Sequence, residues 1–178
     1  MPPSKWLLCL LTCMFLGTIS PVLAQTQVFG YWTAGVSRTG DFFYASTIND
    51  SGALLGEYCY LSSKSCLWIL GMATDCKERN KYPVLVNSNV RVVQLDVLCN
   101  AKLDGGIHRY VFTNFNAIDD IVLKGLRVGL AFPIQGEQFK VVHFNLGGSK
   151  SAINVMKNLF GHAAKPSVPQ AGTKDQIM

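Results

Sequence analysis

Between residues 28 and 146 the chain is a succession of short apolar runs, each closed by a cluster of Asn, Asp, Ser or Gly. Runs of that length suit strands and hairpins and are too short for a helical bundle. Residues 28–36 (VFGYWTAGV) end at Ser37-Arg38-Thr39-Gly40, and residues 41–48 (DFFYASTI) at Asn49-Asp50-Ser51-Gly52, a strong turn signal. Residues 53–61 (ALLGEYCYL) then pair back as the other arm of a hairpin. Residues 66–73 (CLWILGMA) are apolar on both faces and read as a central strand covered on both sides.

The charged stretch 76–82 is a solvated loop, and 84–86 a short strand. In 90–99, Val93, Leu95, Val97 and Cys99 share one face; in 107–113, His108, Tyr110 and Phe112 do. Residues 126–132 alternate, with Leu126, Val128, Leu130 and Phe132 inward. A turn at 135–137 leads into 139–146 (FKVVHFNL). Helical spacing appears twice, both times late. Asn116 reads as the N-cap of a short helix carrying Ile118, Ile121 and Val122, with Asp119 and Asp120 in its first turn. Residues 150–160 form a second helix with a stripe of Ile153, Met156, Leu159 and Phe160, stopped by Gly161. The expected class is α+β: a mainly antiparallel β-sheet or sandwich of about eight short strands, with two short helices in the C-terminal half.

Residues 1–24 read as a secretory signal peptide. Lys5 supplies the positive start, residues 6–17 an apolar stretch, and Val22-Leu23-Ala24 a peptidase-like site. An uncleaved anchor is the rival reading, because 6–24 are nearly long enough to span a bilayer; Pro21 favours cleavage. Leu10-Leu11-Thr12-Cys13 is a poor lipoprotein box, since Thr directly before the Cys fits badly. Three segments follow: leader 1–24, a single disulfide-stapled β-rich domain 25–164, and a disordered tail 165–178 rich in Pro, Gly and polar residues. Loss of Lys5 with the leader lowers the net charge from +5 to +4. At 15% charged residues and with no basic run, the chain lacks the charge density that nucleic-acid binding needs. No membrane span remains after cleavage.

Cleavage leaves four of the six cysteines: Cys59, Cys66, Cys76 and Cys99. An even set in an exported chain implies two disulfides, and three pairings are open. A bridge across the polar turn between Cys59 and Cys66 is sterically allowed; Cys76 and Cys99 would then join a loop to a later strand. A four-thiolate zinc site would need closer ligand pairs. Neither a metal nor a cofactor is expected.

No constellation passes as a catalytic site: there is no Gly-x-Ser-x-Gly elbow and no free thiol for a Cys nucleophile. His108 and His143, in predicted strands, lack partners at ligand spacing and read as structural, as does His162 at a helix end. Gly147, Gly148, Ser149 and Lys150 open the second helix. Their free N–H groups and positive charge could hold an anion, with Ser149 as a cap. The rival reading is a tight strand-to-helix turn. The aromatic residues of the first half belong mostly to the core. Phe42 and Phe43, however, are adjacent in a strand and must face opposite sides, so one of them is available to a binding face unless both faces are covered. Asn49-Asp50-Ser51 matches an N-glycosylation sequon.

The layout resembles small secreted bacterial proteins of the invasion-associated-locus-B type. The residues behind that are an early Gly30-Tyr31-Trp32, cysteines paired amid short strands, and a late strand running through residues 144–149 into a helix containing Ala152-Ile153. The resemblance implies a periplasmic or secreted β-rich domain and brings no catalytic residues. Together these readings point to an exported, non-enzymatic binding protein, whose partner is an envelope or extracellular protein or a small ligand. Two alternatives differ in class. One is a small hydrolase assembled around His108 or His143. The other is a periplasmic enzyme inhibitor, whose target would not be a basic enzyme, because net +4 slows such an encounter.

Overall fold

In a computed structural model, which describes residues 26–102, 104–133 and 138–164, the first apolar run breaks in two at Gly30. Gly30 has φ +58°, a left-handed conformation that glycine adopts at little cost, and a Cβ there would lie 2.7 Å from the Gly147 carbonyl oxygen. The halves are β1 (Gln27–Phe29) and β2 (Trp32–Val36). They are followed by β3 (Phe42–Ile48), β4 (Leu54–Tyr60), β5 (Ser65–Met72), β6 (Lys81–Ser88), β7 (Val92–Lys102) and β8 (His108–Phe112). Helix α1 (Phe115–Lys124) leads to β9 (Arg127–Pro133) and β10 (Phe139–Asn145), and α2 (Ser149–Ala163) ends the described chain.

The ten strands among the described residues form one sheet, in the order β1-β2-β3-β4-β5-β8-β7-β6-β9-β10, and every pairing is antiparallel. The α+β class therefore holds with ten strands, not about eight, and with one sheet in place of a sandwich. The count rises because run 28–36 is two strands. In addition, the stretch around 84–86 extends to eight residues whose side chains alternate between core and solvent.

The inward faces of the strands and the buried sides of both helices share a single core. Trp32, Leu55, Trp68, Leu70, Val97, Tyr110 and Phe132 come from the sheet; Ile118, Ile121, Ile153 and Met156 come from the helices. As expected, β5 is buried on both faces from Trp68 to Met72. The sheet curls until its ends meet. Trp32 Nε1 donates to the Asn145 carbonyl (3.0 Å), Asn49 Nδ2 to the His143 carbonyl (3.1 Å), and the Tyr31 N–H to the Gly147 carbonyl (3.1 Å).

The disulfides are Cys59–Cys66, across registered neighbours of β4 and β5, and Cys76–Cys99, between the loop after β5 and β7. The helix boundaries differ from expectation. Asn114, not Asn116, caps α1 by accepting the Ala117 N–H, which moves Asp119 and Asp120 out of the first turn. Helix α2 runs through Gly161 to Ala163. Leu126 precedes β9 and is 70% exposed, so it does not face the core. The expected leader 1–24, turn at 135–137 and tail 165–178 lie outside the described residues. Among the described residues no helix is long and apolar enough to cross a membrane.

Candidate functional site

Antiparallel pairing of β3 with β4 places Phe42 opposite Tyr60 and Tyr44 opposite Tyr58, all four on the side away from the core. Phe43, between Phe42 and Tyr44, is buried and meets Phe160 of α2 edge-on at 6.0 Å. The adjacent phenylalanines therefore divide, one to each face.

The four outward rings touch one another. Centroids lie 5.5 Å apart for Phe42–Tyr60, 5.9 Å for Phe42–Tyr58 and 6.4 Å for Phe42–Tyr44, and Tyr44 stacks on Tyr58 at 6.2 Å. Each is half-buried. Gly35 lies beside the Tyr44 ring, and the Tyr44 hydroxyl shares a 3.2 Å hydrogen bond with Thr26. Burial among these neighbours pushes the Tyr58 phenol up to about 12, so it stays a neutral donor at physiological pH. Contiguous aromatic surface on two rigid strands offers large contact area with polar tips at little entropic cost.

A second cluster lies where the loop after β5 crosses β7 and β8. Inward-facing His108 on β8 is 6% exposed, and its Nδ1 sits 3.5 Å from the Cys76 sulfur. Asp75 Oδ1 is 3.0 Å from Nε2 but out of line for a hydrogen bond, so Nε2 is buried without a hydrogen-bond partner. Cys99 is buried, Cys76 half-exposed. Next to them opens a cavity of about 850 Å³ walled by Thr74, Asp75, Cys76, Lys77, Tyr82, Tyr110, Phe132 and Pro133. Its aromatic wall is interlocked, Tyr110 meeting Tyr82 at 6.1 Å and Phe132 at 5.2 Å, and the Tyr110 hydroxyl donates to the Thr74 carbonyl at 2.7 Å. Burial, then Tyr82 and Asp75, pushes the Tyr110 phenol up to about 12.

A third group was not visible in the sequence. Glu57 faces inward from β4 with none of its side chain exposed. Lys157 of α2 reaches it at 3.3 Å and lies 3.6 Å from Asp119 of α1, which accepts the Trp68 Nε1–H at 3.2 Å. Burial pushes the Glu57 carboxyl up to about 7, against the pull of Lys157 and with the push of Asp119. A lone Glu in an apolar strand looks solvent-facing; only the placement of two helices over it reveals the pairing.

The turn at residues 147–150 docks backbone on backbone. Gly148 has φ +98°, and a Cβ there would fall 1.8 Å from the Phe29 carbonyl oxygen. Ser149 does not cap α2; its buried hydroxyl donates to the Val122 carbonyl at 2.8 Å. Lys150 and Ser151 are exposed. His143 is exposed on β10, beside shallow pockets that include Ser88 and Asp50. Ser88, however, spends its hydroxyl on its own turn, donating to the Arg91 carbonyl and accepting the Val90 and Arg91 N–H groups. His162 is exposed in the last turn of α2. Asn49, head of the sequon, accepts the Ser51 and Ala53 N–H groups besides bonding to His143.

No family model matches the chain, and no curated protein matches it. Among solved structures it is similar to the crystal structure of invasion associated protein B from Bartonella henselae, with a TM-score of 0.55. Identity is 14%, and the match covers 76% of this chain and 98% of that one. The likeness is one of fold. It bears out the resemblance drawn from the sequence.

Proposed function

We propose that this chain is an exported binding protein without a catalytic centre, and that the outward aromatic face of Phe42, Tyr44, Tyr58 and Tyr60 is its contact surface. The carrying observation is a connected cluster of four rings, three of them touching Phe42, on the solvent side of a sheet whose other side holds the core. Export is supported by the leader-like segment 1–24 and by two disulfides, which persist in oxidising compartments. The partner is an envelope or extracellular protein, since rings with hydroxyl tips are what protein interfaces concentrate at their centres.

The hydrolase alternative finds less support. His108 faces a disulfide sulfur, and the Ser88 hydroxyl near His143 is spent on its own turn. The test is capture from envelope and host fractions by the mature protein, with Phe42→Ser/Tyr60→Ser as the comparison. Partners held by the wild type and lost by the double variant, at unchanged melting temperature, support the reading. Equal capture by both overturns it.

A further inference from the structure

We propose that Cys76, Cys99 and His108 are a redox-gated metal site: the disulfide closes it, and reduction by a dithiol opens it to Zn²⁺. The possible ligand atoms, two sulfurs and an imidazole nitrogen, already lie within 4.8 Å of one another. At zinc–sulfur and zinc–nitrogen bonds of about 2.3 and 2.0–2.1 Å, tetrahedral geometry sets S and N about 3.5 Å apart. That is the separation of the Cys76 sulfur and His108 Nδ1. Opening the site requires the two bonded sulfurs to part to about 3.8 Å, the separation that tetrahedral zinc imposes.

His108 is built as a ligand would be. A disulfide sulfur has no hydrogen to donate, so the oxidised state gives Nδ1 little in return for burial. On the other side, Asp75 lies against Nε2 at 3.0 Å. The Asp75 side chain is otherwise open to solvent and free to turn into line as the carboxylate that holds a metal-binding imidazole in its Nε2–H tautomer, leaving the Nδ1 lone pair for the metal. Cys76 is half-exposed and borders the cavity, so an attacking thiolate can reach it and a fourth ligand can enter beside it. Two thiolates and an imidazole select zinc over the hard cations.

The step balances. The dithiol transfers two electrons and two protons to the Cys76–Cys99 bond and leaves as its own disulfide; the metal then displaces the two thiol protons. Cys59 and Cys66 provide an internal control. The third member of their cluster is Glu57, already engaged by Lys157, and no imidazole belongs to it.

The mature protein, oxidised or reduced with a dithiol under anaerobic conditions, is titrated with Co²⁺ as a spectroscopic stand-in for Zn²⁺. The reduced protein is expected to take up one Co²⁺ per chain with thiolate charge-transfer absorption. The oxidised protein should show none, and His108→Gln should weaken binding at least about tenfold. Alkylation mapped by mass then reads the site in the wild type, whether or not the variant folds: bound Zn²⁺ should protect Cys76 and Cys99. Equal binding by wild type and a folded His108→Gln, labelling of Cys76 and Cys99 undiminished by Zn²⁺, or loss of fold on reduction before any metal binds would each overturn the proposal.

Discussion

The buried Glu57 sets a pH dependence that runs against the usual acid sensitivity of a folded domain. An unfolded Glu has its ordinary value of 4.5; in the fold, burial holds it near 7. Below 4.5 both states are protonated and the group is neutral toward folding. Between 4.5 and 7 the unfolded chain releases the proton and the folded one keeps it, so stability falls as pH rises. Above 7 the full penalty applies, about 3 kcal/mol for such a displacement. For a domain of this size that is roughly 10 °C of melting temperature.

Glu57→Gln removes the ionisation while keeping shape and hydrogen-bonding groups. Melting followed by circular dichroism from pH 4.5 to 8 should show wild type and variant close together at pH 4.5. The variant should be ahead at pH 8 by about that penalty, which is already net of the attraction of Lys157. Every other ionisable group is common to both proteins, so the difference curve isolates Glu57. Lys157→Gln should act in the opposite direction, weakening the fold at pH 8 more than at pH 4.5, because it leaves the carboxylate buried without its cation. A Glu57→Gln variant that loses more at pH 8 than at pH 4.5 would refute the reasoning, because the ionised carboxylate would then be a net contributor.

Intact mass of the exported protein should show loss of residues 1–24 and no free thiols. Removal of either bridge should cost about 2–5 kcal/mol. Because the bridges close separations of 7 and 23 residues, losing Cys76–Cys99 should cost about 1 kcal/mol more in denaturant midpoint analysis. Phe43→Ala should destabilise by about 3–5 kcal/mol and Phe42→Ala by far less, a contrast that urea titration resolves. Gly148→Ala should be strongly destabilising because its Cβ would overlap the Phe29 carbonyl, whereas Lys150→Glu should stay within about 0.5 kcal/mol, both read by thermal melting.

Turn chemistry made much of the sheet legible. Asn49-Asp50-Ser51-Gly52 closes the β3–β4 hairpin, and alternation in β7, β8 and β9 placed Val97, Tyr110 and Leu130 correctly inside. What failed were features decided by distant packing. Gly30 splits a continuous apolar run because the Gly147–Gly148 turn lands against it, and no local pattern announces a contact so far along the chain. Asn114 wins the cap of α1 over Asn116 by one favourable hydrogen bond, a choice that residue type alone does not make. Of the sites, the outward aromatic face followed from period-2 geometry at Phe42–Phe43. The approach of His108 to Cys76 did not, because the loop after β5 folds across β8 from 32 residues away.

The hydrogen bond from Trp32 to the Asn145 carbonyl spans 113 residues, and with it the last helix is laid over the first strands. A chain secreted or synthesised from its N-terminus must therefore hold β1 to β4 with their inner face uncovered until α2 arrives. Closing so large a loop is slow, and exposed sheet invites aggregation in the interval. Chains ending before Ser149 would keep every strand yet lack the lid, and should collect as insoluble material. Docking of the C-terminal helix is thus the late step that closes the core.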